Sequence, residues 1–175
     1  MFNHVMVGVN DLEVARKFYD AVLGTLGTSP GIMNQGTRYF YRSPTGSFSI
    51  SKPLNGQPAT PANGGTIGFV AKSSEEALAF HEAGVANGGT TCEDPPGFRE
   101  SPAGKMYIAY LKDPDGNKIC ALYRAPKNWN SKGGCSTSVI FQSSLLPLGL
   151  IELTITLPFF ALFFALFLLA NYETN

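Results

Sequence analysis

Across 175 residues, 13 Lys and Arg balance 13 Asp and Glu with no basic stripe or acidic tract, which argues against nucleic acid as a partner. Three cysteines without a C-x-x-C pair exclude a disulfide framework and fit a reducing compartment. The N-terminus has no basic stretch ahead of an apolar one, so it reads as folded structure, not as a signal peptide, and the expected location is cytoplasmic.

The first predicted element is the strand "HVMVGV" (4–9), where Val5, Val7 and Val9 alternate with His4, Met6 and Gly8. "NDLEVARKFYDAVLG" follows as a helix. Asn10 or Asp11 caps it, Glu13 lies in its first turn, and Leu12, Ala15, Phe18, Tyr19 and Val22 form one apolar stripe. Gly24 or Gly27 ends it in a left-handed cap. A short strand is expected at about 31–35, and then "TRYFYRS" and "SFSISKP" form a strand pair around a "PTG" turn.

The same order then recurs. "HVMVGVNDLEVARKFYDAVLGTLG" (4–27) aligns without a gap on "TIGFVAKSSEEALAFHEAGVANGG" (66–89), 62 residues on. "YFYRSPTGSFSIS" (39–51) aligns on "AYLKDPDGNKICA" (109–121), 70 residues on. Ser73 or Ser74 caps the second helix, a strand is expected at about 89–92, and "MYIAYLK" and "NKICALYR" pair around "DPDG". The eight extra residues of the second copy fall near "EDPPGFRESPAGK" (93–105), which reads as a polar loop carrying Arg99. Two βαβββ units of an α+β protein thus follow one another, and their sheets can curve around a shared cleft. On periodicity alone, an α+β sandwich with a filled core stays open.

Composition changes near residue 127. Residues 1–126 hold 11 basic and 11 acidic side chains; the remainder holds two of each, yet six of the 13 Phe. The chain divides into a domain at 1–126, a Gly/Ser/Asn-rich linker at 127–144 and a hydrophobic tail at 145–175. "LTITLPFFALFFALFLLA" (153–170) is 18 uncharged residues, just long enough to span a bilayer of about 30 Å. It reads either as an anchor for membrane association, with the domain on the cytoplasmic side, or as a non-native extension.

The opening "HVMVGVNDLEVARKFYDAVLGTLG" and the closing "YLKDPDGNKICALYR" resemble the vicinal oxygen chelate superfamily, which holds glyoxalase I (lactoylglutathione lyase), bleomycin-resistance proteins and extradiol dioxygenases. The resemblance covers residues 1–126 and is nearest to glyoxalase-like proteins. It implies paired βαβββ modules forming a curved, cup-like eight-stranded sheet. In metal-dependent members the ligands come from the first and last strands of each module. Those positions fall here on His4, Thr66, Cys120 and, for the first module's last strand, Ile50, or Ser49 if the register slips by one. Only His4 keeps a usual ligand. No cofactor is therefore expected; if a divalent ion were bound, His4 and Cys120 would be its donors, and they favour zinc or copper.

The function that the resemblance implies is a small-molecule cleft. It belongs either to a lyase or isomerase related to lactoylglutathione lyase, or to a metal-independent binding protein of bleomycin-resistance type. Whether the chain is an enzyme stays open, as does a homodimer. His4 is the candidate base or hydrogen-bonder. Tyr110 is a candidate catalytic hydroxyl. Met6, Thr66, Arg99, Tyr107 and Cys120 are candidates for substrate contact. Tyr107 and Tyr110 lie on one strand and face opposite ways, so one reaches the cleft and the other the core.

Overall fold

The computed structural model describes residues 2–102 and 104–126; the expected linker and tail lie outside them. The first module runs β1 (His4–Gly8), α1 (Leu12–Thr25), β2 (Ile32–Asn34), β3 (Arg38–Ser43) and β4 (Gly46–Ser51). The second runs β5 (Ile67–Val70), α2 (Ser74–Ala86), β6 (Thr90–Thr91), β7 (Gly97–Ser101), β8 (Gly104–Lys112) and β9 (Lys118–Arg124). Among the described residues no helix is long and apolar enough to cross a membrane.

Both helices start on their expected signals, and the first also stops on one. Asp11, not Asn10, caps α1, its carboxylate accepting from the N–H groups of Glu13 and Val14. Ser73 caps α2 by accepting from Glu76 N–H, and the Glu76 side chain reaches back to Lys72 N–H at 2.8 Å. Gly27 closes α1 at φ +80°, with Thr28 N–H on Leu23 O and Gly27 N–H on Gly24 O. The second helix, one residue shorter, closes the same way at Gly88.

The strands form two mixed sheets, ordered β1-β4-β3-β2 and β5-β9-β8-β6, with β7 also on β8. This corrects the expectation of one eight-stranded sheet, because β1 and β5 share no ladder of hydrogen bonds. It also corrects the reading of 93–105 as loop. Gly97–Ser101 pairs with Gly104–Ile108, and the Phe98 and Tyr107 rings meet edge to face at 5.2 Å. The short β6 pairs further along the same edge of β8, so β6 and β7 are one strand position interrupted at Pro95 and Pro96, which cannot donate to a ladder.

One core joins the modules. Phe18, Tyr19 and Val22 of α1, Phe48 of β4, and Phe80 of α2 are buried together with Leu111 of β8. Gly84 sets how closely α2 approaches. A Cβ there would lie 2.2 Å from Leu111 Cδ1 and 3.2 Å from Val22 Cγ1.

The "DPDGN" turn is the clamp between the modules. Asp113, 3% exposed, takes the N–H groups of Asp115 and Asn117 on Oδ1. On Oδ2 it accepts from Asn117 Nδ2 and from the hydroxyl of Tyr19 on α1, at 2.7 Å. Asn117 Nδ2 also donates to Gly8 O, and Asp115 Oδ1 accepts from Asn10 N and Nδ2 at 3.0 and 2.7 Å. Asn10, expected as a possible cap, is thus a hub: it also exchanges hydrogen bonds with Ala59 in the connection between modules. The corresponding turn of the first module, Ser43–Gly46, bonds within its own module: Ser43 Oγ to Gly46 O, and Ser47 N–H to Asn3 O. Beside it lies a cleft of about 200 Å³ whose lining includes His4, Arg42, Phe48 and Gly68.

Candidate functional site

Each sheet buries one face under its helix; on the opposite, outer face Met6 and Ile32 are exposed while Ser49, Ser51 and Cys120 are buried. In the first sheet Tyr39, Tyr41, Phe48 and Ile50 face α1. Strand pairing puts directly opposed residues on the same face, so the outer face falls into three rows across the strands. One row is Asn34, Arg38, Ser51 and Gly8; the next is Ile32, Phe40, Ser49 and Met6; the third is Arg42, Ser47 and His4.

That register settles the alternative between Ile50 and Ser49. Cys120 pairs with Gly68 on β5, as Ser49 pairs with Met6 on β1, so Ser49 is the counterpart of Cys120. Ile50 is fully buried beneath α1. The second turn holds one residue more than the first, and a one-residue slip moves a strand's side chains to the other face.

In the second sheet Tyr110 and Gly68 flank Cys120 on the outer face. Cys120 is 4% exposed, with Sγ 3.4 Å from where a Gly68 Cβ would sit. Burial pushes its thiol up to about 11, against the opposing pull of Lys118. The thiol is therefore protonated at neutral pH and no nucleophile. Burial also raises the Tyr110 hydroxyl, with the two cysteines adding to it and Arg99 opposing. The Lys118 ammonium lies 5.0 Å over the Tyr110 ring and pairs with Glu93.

The remaining candidates disperse. His4 is exposed at the start of β1, its Nδ1 3.4 Å from Asn3 Oδ1, and lines the cleft shared with Ser47 and Gly68. Thr66 lines a separate small cleft with Val7, Asn117 and Lys118. Met6 is 40% exposed on the outer face. Arg99 shares the outer face with Met106, but its guanidinium donates to Pro95 O and Asp94 O, just ahead of β7. Of the two tyrosines on β8, Tyr110 is the outward one. Tyr107 sits on the α2 side with Phe98 and Tyr123, and so leaves the outer-face set. Among the described residues no three His, Cys, Asp or Glu side chains gather as a metal site would need. Arg42, on the outer face of the first sheet, was missed in the sequence; its signal was the alternation Arg38-Phe40-Arg42 on a strand whose other face is tyrosine.

Two modules of one strand, one helix and a hairpin-bearing sheet, joined through their helix faces, define the paired-module class of α+β proteins. The sequence profile of the Glyoxalase/Bleomycin resistance protein/Dioxygenase superfamily matches residues 1–121, and the chain belongs to that superfamily. A solved glyoxalase/bleomycin resistance protein from Albidiferax ferrireducens T118 is 69% identical, with a TM-score of 0.69; the match covers 71% of this chain and 99% of that one. A glyoxalase-related enzyme from Fulvimarina pelagi is 20% identical at a TM-score of 0.56, covering 71% of this chain and 88% of the other. A glyoxalase/bleomycin resistance protein/dioxygenase family enzyme from Burkholderia phytofirmans PsJN is 15% identical at 0.54, covering 70% and 98%. The last two are likenesses of fold alone. No curated protein matches the chain.

Proposed function

We propose that the domain binds a small molecule on its outer sheet faces without a divalent ion, as a binding protein of bleomycin-resistance type. One observation carries this reading: the chemistry at the four positions where metal-dependent relatives of this fold would place ligands. Ser49 is fully buried and its hydroxyl donates to Val5 O at 3.3 Å. Thr66 offers a neutral hydroxyl. Cys120 is 4% exposed and offers one soft donor at most. Only His4 is a ready donor, whereas a catalytic ion needs about three protein ligands and an open position. This donor set does not fit a divalent ion.

The second reading, a lyase or isomerase of lactoylglutathione-lyase type, is favoured by membership of the superfamily and by the exposure of His4. It would leave proton transfer to His4 and hydrogen-bond donation to Tyr110, with nothing to polarise an enediolate as a metal does.

The two readings part on metal. Purified full-length chain is expected to hold well under one equivalent of zinc, nickel, manganese or iron. Chelator should leave its unfolding temperature unchanged, since an ion bound only to the folded state stabilises it by mass action. Stoichiometric metal, with turnover of the methylglyoxal–glutathione adduct lost on chelation and in His4→Ala, would return the protein to the metal-dependent lyases.

A further inference from the structure

The duplication makes the features of the junction in pairs, and one pair is unequal. Two clefts lie where the edge strands β1 and β5 face each other. Asn3, His4 and Val5 line one; Gly65, Thr66 and Ile67, each 62 residues on, line the other. The facing strand completes the first with Phe69 and the second with Val7, again 62 apart. Yet the first cleft holds about 200 Å³ and the second about 60 Å³.

The clamp makes the difference. At the small cleft Asn117 reaches across to Gly8 O, and Pro61 Cγ of the connection lies 3.3 Å from where a Gly116 Cβ would sit. Lys118 on its wall is paired with Glu93. At the large cleft no hydrogen bond of the Ser43–Gly46 turn crosses to the second module. Arg42 on its wall joins no ion pair among the described residues.

The lining says what the open cleft takes. Its floor is apolar, made of buried Leu23 and Phe48 with half-buried Phe69, and the two rings meet edge to face at 5.3 Å. Its mouth is polar and runs into an adjoining cleft of about 340 Å³, which shares Arg42, Ser43 and Ser47 with it. Neither lining includes Asp or Glu, and Arg42 is exposed, so a ligand can reach its guanidinium. An apolar cavity of about 150 Å³ takes one benzene ring, so this space suits a single ring carrying one small polar group.

We propose that the open cleft binds a small monocarboxylate with an apolar body the size of one ring. The body lies against Phe48 and Phe69, and the carboxylate meets Arg42 at the mouth. The site lies between the modules and does not rest on the outer-face reading above. The two junctions thus divide their tasks: one is closed and holds the modules together, and its mate is left open for a ligand.

The test is an NMR titration of the full-length chain with benzoate and with its neutral isostere, benzyl alcohol. Methyl signals of Ile67 and Leu23 report on the cleft, and that of Met6 on the outer face. Benzoate should move the Ile67 and Leu23 signals more than that of Met6, and bind at least about fivefold more tightly than the alcohol. Arg42→Gln should lose that preference while binding the alcohol as before. Lys112→Gln, at the matching cation 70 residues on, should keep it. Val5→Phe, which fills the cleft from β1, should abolish binding of both probes. Thermal unfolding checks that each variant folds, and exposed Arg42 carries the test if Val5→Phe does not. Equal affinity for acid and alcohol, full preference in Arg42→Gln, or unchanged binding in folded Val5→Phe overturns the proposal. So does silence of the cleft methyls toward both probes; shifts confined to Met6 would overturn the cleft while supporting the outer-face reading.

Discussion

Replacing Tyr19 with Phe removes one hydroxyl from the clamp and nothing from the packing. Tyr19 is fully buried, its ring 5.0 Å from Phe18 and 4.8 Å from Phe48, and both contacts survive the change. What is lost is a 2.7 Å hydrogen bond to a buried carboxylate. A bond of this kind contributes about 1.5–3 kcal/mol, so the variant should be about 2 kcal/mol less stable at neutral pH. For a domain of this size that lowers the unfolding temperature by about 6–8 °C. The loss should depend on pH with a definite sign. Burial raises the Asp113 carboxyl above its ordinary value of 3.8, against the downward pull of Asn117 and Tyr19. A raised native value means that Asp113's contribution to stability is fully present below the ordinary value and is lost as pH rises through the native one. Tyr19 bonds the ionised form best, so without it the native value rises further. The gap between Tyr19→Phe and wild type should then widen as pH climbs from about 4 toward 7. Urea unfolding at a series of pH values reads both the size and the slope. A loss below about 0.5 kcal/mol, or one that is the same at pH 4 and pH 7, would refute the assignment of the clamp to this bond.

Gly84→Ala should destabilise by about 1–3 kcal/mol despite the better helix propensity of Ala, because the new methyl meets Leu111 and Val22; thermal unfolding measures it. Iodoacetamide at neutral pH should alkylate Cys92 well before Cys120, whose thiol burial holds at about 11, and mass spectrometry of the time course gives the order.

The helices were legible because their signals are local: Asp11 and Ser73 as caps, Gly27 as stop, and an apolar stripe at helical spacing. The duplication was legible too, since two strand-helix-hairpin units repeat in order. The register of the hairpins was not. A gapless alignment placed Ile50 opposite Cys120, and one extra residue in the second turn moved the match to Ser49. Period-two patterns carry no memory of such a slip. β7 was hidden because "GFRES" alternates weakly and sits between prolines and a turn, and only its pairing with β8 makes it a strand. At the site, the residue types were legible but not their neighbours. Arg99 on β7 turned to the carbonyls of Asp94 and Pro95, and Tyr107 turned to the helix side.

The clamp also orders events in time. Tyr19 and Asp113 are 94 residues apart, Asn10 and Asp115 are 105, and Asn117 and Gly8 are 109. As the chain leaves the ribosome, the first module is made in full while the partners of its buried hydroxyl and of Gly8 O do not yet exist. Until "DPDGN" arrives, α1 packs on its own sheet through Tyr41 and Phe48, but the Tyr19 hydroxyl, Asn10 and Gly8 O lack these partners. Such long-range closures slow folding, because the entropy of bringing distant segments together is met before their contacts form. The duplicated halves are therefore not two small proteins in tandem. The first half waits for the last turn of the second, and a cut in the connection at 52–65 would separate two pieces, each lacking part of the other's interior.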